Sequence, residues 1–137
     1  MFKTLLVLAG IGQIALAISS LAIPGLLGWR QEIATLRPLT RAVFWTYAGY
    51  IFGIHLWFGI MSIVAAGPLA AGGLLPTFVT GFIALYWAVR VVGQFAWYDR
   101  AVAADRLLFR LAEVAYVALF VALTLIYAAV ATQGLWR

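Results

Sequence analysis

Cysteine is absent from the chain, histidine occurs once, and only four residues are acidic. Without cysteine there is no disulfide, no thiol redox chemistry, no iron–sulfur cluster and no thiolate-held zinc or haem. The single histidine, His55, excludes a bis-histidine haem within one chain. Charge of either sign is scarce: 9% of the 137 residues are charged, whereas soluble domains carry roughly a quarter. What fills the space is apolar, with 66% hydrophobic residues and a mean hydropathy of +1.08. Such a composition excludes intrinsic disorder and a collagen-like repeat, and the length allows one domain. The class that remains is an integral membrane protein. Since a bilayer core about 30 Å thick takes about 20 helical residues to cross, the chain has room for four spans with short loops.

Four long apolar runs match that number, at residues 2–28, 42–66, 76–98 and 107–132. Each exceeds the length of a buried soluble helix and is hydrophobic all the way round. None alternates polar with apolar residues as a β-barrel strand would. The expected architecture is all-α: a membrane four-helix bundle of two antiparallel hairpins. Pro24, Gly25 and Gly28 loosen the end of the first run, Pro38 ends the polar segment that follows, and Pro76 suits the start of the third.

The connections differ in character. Residues 30–41 (RQEIATLRPLTR) are polar and predict a short interfacial turn, with Ile33 and Leu36 facing lipid. Residues 67–75 (GPLAAGGLL) carry no charge and predict the most flexible loop. Asp99 and Asp105 bracket a short connection, so spans three and four are expected in a tight hairpin. Arg30, Arg37, Arg41, Arg100, Arg106 and Arg110 lie on one side, against Lys3 and Arg137 on the other. The positive-inside rule then puts loops 29–41 and 99–106 in the cytoplasm and both termini outside, across a cell inner membrane. The N-terminus also carries signal-peptide features, with Ser20-Leu21-Ala22 as a small-x-small site. Cleavage there would invert the charge rule, which favours an uncleaved first span. The basic residues sit at run ends rather than in a block, pointing to anionic lipids rather than nucleic acid.

Ionisable residues inside a membrane are costly and either pair or mark function. Folding the second hairpin about Ala101 and Val102 brings Arg90 and Glu113 to one depth, which predicts an ion pair. Gln94 lies one turn from Arg90 and Arg110 one turn from Glu113, with Tyr86, Trp87 and Tyr116 around them. The pair either neutralises two charges and sets the hairpin register, or lines a site for a polar headgroup or a proton. Folding the first hairpin about Thr35 sets His55 near Gln13, which predicts an interhelical hydrogen bond. The sharper alternative for His55 is a quinone contact or a metal ligand, although no carboxylate lies near it in sequence.

Small residues mark close helix approach: a Gly49/Gly53 GxxxG in span two, Gly10 and Ala17 in span one, and Ala115, Ala118 and Ala122 in span four. The GxxxG is read as internal packing first and dimerisation second. Trp29, Trp45, Trp97 and Tyr98 form one interfacial belt and Trp136 marks the other, while Tyr50, Trp57, Tyr86 and Trp87 lie deeper.

No nucleophile elbow, phosphate loop, zinc-binding HExxH or paired-carboxylate spacing occurs, and Glu113 is the one acid expected within the membrane. A chain of this length with four spans and short loops resembles the small bacterial inner-membrane proteins grouped near DoxX. That resemblance rests on size and span layout and implies no site residue; some members of the group are quinone-linked redox subunits. The first expectation is therefore a non-catalytic bundle that binds a lipid or hydrophobic small molecule, or an accessory subunit of a membrane complex. The alternatives are a proton-coupled transporter acting as a homodimer through Glu113 and a quinone-linked subunit using His55. Small multidrug transporters are comparable in size, but their essential glutamate lies in the first span, which here holds no acid.

Overall fold

Apolar runs become helices because in hydrocarbon every backbone N–H and C=O must bond within its own segment. The computed structural model describes residues 1–96 and 107–135, which form α1 (Phe2–Ser20), α2 (Ile23–Leu26), α3 (Trp29–Ala34), α4 (Pro38–Val64), α5 (Ala66–Ala71), α6 (Leu74–Ala96) and α7 (Leu107–Leu135). Four stretches, Phe2–Leu26, Pro38–Val64, Leu74–Ala96 and Arg110–Gly134, are long and apolar enough to cross a membrane. The protein is an all-α, multi-pass four-helix bundle. The hairpin connection expected around Asp99 and Asp105, with Trp97, Tyr98, Arg100 and Arg106, lies outside the described residues, as do Trp136 and Arg137.

Proline and glycine set the helix ends. The ring of Pro24 clashes with a carbonyl four residues back and supplies no N–H, so α1 stops at Ser20. Gly28, with φ of 67°, then turns the chain into α3. Pro38 occupies the first turn of α4, so this helix begins four residues before the apolar run. Gly72 and Gly73, with φ of 83° and 103°, reverse the chain ahead of α6, which starts at Leu74 with Pro76 in its first turn. Residues 67–75, expected as the most flexible loop, instead contain most of α5. Ala66 and Leu69 are buried there, so apolar contact holds the segment against α1 and α6. Ile33 is likewise buried and does not face lipid, whereas Leu36 is exposed.

α1 and α4 pack as one antiparallel pair and α6 and α7 as the other, with α1 also touching α7. The first pair is joined by two glycines. A methyl group on Gly59 would stand 2.6 Å from Ile14 Cγ1 and 2.8 Å from the Gly10 carbonyl oxygen; one on Gly10 would stand 2.7 Å from the Gly59 oxygen. Without side chains the two backbones meet directly, the contact on which membrane helix pairs rely. The Gly49/Gly53 motif plays no such part. Both glycines are exposed and a methyl on either would meet nothing within 4 Å, which overturns the internal-packing expectation. Ala115, Ala118 and Ala122 also face outward, while Ala17 is fully buried.

Burial divides the bundle into two halves. Leu6, Ala9, Phe58, Ile83, Leu123 and Val130 form a core in the half nearest Met1 and Val64. In the other half α4 has no buried residue before His55, and α6 has only Gly93 beyond Trp87. That half is open.

Candidate functional site

Where the core ends, four polar side chains from four spans meet: Gln13 on α1, Ser62 on α4, Trp87 on α6 and Tyr127 on α7. All are fully buried. The indole N–H of Trp87 only donates, and it donates to Gln13 Oε1 over 3.1 Å, which fixes the amide orientation. Gln13 Nε2 then donates to the Tyr127 hydroxyl at 2.6 Å and, over 3.4 Å, to the carbonyl of Ala9. Ser62 Oγ donates to the Phe58 carbonyl at 2.7 Å, so its hydroxyl accepts from Tyr127. Donors and acceptors therefore run in one direction, from Trp87 through Gln13, Tyr127 and Ser62 to a backbone oxygen. Each polar group is satisfied where water cannot reach.

The expected Gln13–His55 bond is absent because the Gln13 amide is used in this chain. The two residues lie at similar heights, but His55 faces α6. Its Nε2 bonds the Tyr86 hydroxyl at 2.8 Å. The imidazole stacks on Trp87, with centroids 4.9 Å apart. Trp87 stacks in turn on Phe120 at 5.3 Å, and Phe120 on Tyr116 at 6.3 Å. The four rings make a column from α4 across α6 to α7 that floors the open half. Of the aromatics expected deeper than the interfacial belts, Trp87 is buried and Tyr86 half-buried within the bundle, while Tyr50 and Trp57 are exposed on its outer surface.

Above this floor lie the charges. Arg90 Nη1 donates to Gln94 Oε1 at 3.3 Å, and Gln94 Nε2 donates to Glu113 Oε1 at 3.3 Å. The cross-helix neighbours Gln94–Glu113 and Trp87–Phe120 set a register one turn displaced from that given by folding at Ala101 and Val102. Gln94 thus stands opposite Glu113, and Arg90, one turn deeper, is joined to the acid through the amide. The Arg90 guanidinium also lies 5.0 Å from the centre of the Phe120 ring, a cation–π arrangement. Tyr116 donates to Ser19 Oγ at 3.1 Å, tying α7 to the end of α1. Arg90, Gln94, Glu113, Tyr86 and Tyr116 are all half-buried.

The structure therefore gathers Arg90, Gln94 and Glu113, places Tyr116 beside them through Phe120, and assigns Tyr86 to His55. Sequence reasoning missed Ser62 and Tyr127. Their signal was a hydroxyl inside an apolar run, which demands a partner in hydrocarbon. Among the described residues no three His, Cys, Asp or Glu side chains converge. Compared with known proteins, the chain matches no family model, no curated protein and no solved structure.

Proposed function

We propose that this is a non-catalytic membrane protein whose open half binds the polar end of a lipid or of a hydrophobic small molecule. We place it in a cell inner membrane, with loops 29–41 and 99–106 on the cytoplasmic side and both termini outside. The observation that carries the reading is the Arg90–Gln94–Glu113 cluster, half-covered above an aromatic floor in the half where α4 and α6 bury little. Polar side chains kept at such depth without burial suit a ligand that brings its own polar groups. Apolar residues exposed on either side, Val89, Val92 and Val114, suit its tail.

Purification in mild detergent followed by native mass spectrometry tests this. The expected result is a retained lipid or small molecule that is lost in Arg90→Ala while the protein stays folded. A protein that carries nothing under these conditions would refute the reading. Recovery of a quinone would favour the redox-linked alternative, for which the His55–Tyr86 pair above Trp87 is the supporting feature.

A further inference from the structure

The charged cluster has two poles. Arg90 on α6 supplies a cation and Glu113 on α7 an anion, and the Gln94 amide bonds to both while holding them apart. A simple anion entering here meets Glu113 as well as Arg90, and a simple cation meets the reverse. A ligand carrying both charges a short reach apart meets each with its complement.

Depth narrows the class. Arg90 lies sixteen residues after the start of α6 at Leu74, and Gln94 bonds Glu113 one turn further on. At 1.5 Å per residue Arg90 is about 24 Å along the helix. A bilayer has a hydrocarbon core of about 30 Å within a total of about 40 to 45 Å, so the cluster falls towards the far boundary between tails and headgroups. A phospholipid headgroup resides at that level.

Resting on the lipid-binding reading above, we propose that the ligand is a zwitterionic phospholipid with a primary ammonium, an ethanolamine headgroup. Its phosphate lies beside Arg90, whose forked guanidinium can bond a phosphate oxygen while keeping Gln94. Its ammonium lies beside Glu113. Tyr116, one turn along α7 and stacked on Phe120, adds a ring face suited to a cation. A primary ammonium has three N–H donors for the carboxylate, whereas the trimethylammonium of choline has none, so the site distinguishes the two by hydrogen bonding. A glycerol headgroup lacks the cation and leaves Glu113 facing a phosphate.

The test is competition in nanodiscs or mild detergent among phosphatidylethanolamine, phosphatidylcholine and phosphatidylglycerol of identical acyl chains, read by native mass spectrometry. The full-length protein is expected to retain the ethanolamine lipid about tenfold over each of the others. Glu113→Gln should abolish the preference over choline and increase retention of the glycerol lipid. Arg90→Gln should weaken all three. Equal retention of the three lipids by the unaltered protein, or an ethanolamine preference unchanged in Glu113→Gln, would overturn the proposal and leave general lipid binding standing. Retention of none of the three would remove both. The order of the lipids on the unaltered protein decides the matter even where a variant does not fold.

Discussion

In the better-packed half of the bundle, Gln13, Ser62, Trp87 and Tyr127 are fully buried, and each donates or accepts along one directed chain that touches every span. In the open half, Arg90, Gln94 and Glu113 are more polar yet only half-covered, and they bond mainly between neighbouring turns of α6 and α7. The neutral groups hold the helices together, and the charged groups lie where helix packing is least. The difference follows from desolvation: neutral groups can be enclosed if fully bonded, whereas enclosing charges costs more than their pairing returns unless geometry is excellent. The structural bonds and the proposed binding site thereby fall at different depths of one small bundle.

The comparison can be broken most forcefully at the glycine crossing. Gly59→Val is expected to cost about 3 kcal/mol or more, because its side chain collides with the Gly10 carbonyl and Ile14 rather than with flexible tips. Detergent-denaturation midpoints measure this, and an unchanged midpoint would show that α1 and α4 do not meet there. Next in size is the buried chain. Tyr127→Phe strands a donor of Gln13 and should destabilise by about 1 to 2 kcal/mol. A double-mutant cycle with Gln13→Leu should show coupling of at least about 0.5 kcal/mol, and strict additivity would sever the link.

Gly53→Ala should go the other way. It adds a methyl group in open space within a helix and is expected to stabilise by about 0.5 to 1 kcal/mol. A loss of stability that grows on dilution would instead show a second chain seated on that face. Smallest is Glu113→Gln, expected to change stability by less than about 0.5 kcal/mol while altering lipid retention. A loss as large as that of Tyr127→Phe would move the charged cluster into the structural class and erase the contrast between the halves.

Much of this fold was legible beforehand, and the reasons differ by feature. Pro24 and Pro38 announced their helix boundaries because proline acts locally, through its ring and its missing N–H. The depth of His55 relative to Gln13 followed from counting residues along two helices. The depth relation of Arg90 and Glu113 came out one turn away, since it relied on a fold point assumed from the midpoint between two aspartates. The bond expected between Gln13 and His55 failed for another reason: height along a helix was known, but rotation about its axis was not. Ser62 and Tyr127 escaped notice because single hydroxyls in long apolar runs gain meaning only from what lies across the bundle.

By itself the sequence determined the class, the number of spans, their approximate limits and the short roster of polar groups that a membrane interior would have to accommodate. The tertiary structure decided which of those groups face one another, that Gly10 and Gly59 rather than Gly49 and Gly53 make the close contact, and that α4 and α6 bury more of one half than of the other. The physical reason lies in the helices themselves. A span that is apolar all round carries no stripe to say which face turns inward, so its rotation is settled by packing against its neighbours and by the hydrogen bonds that packing permits.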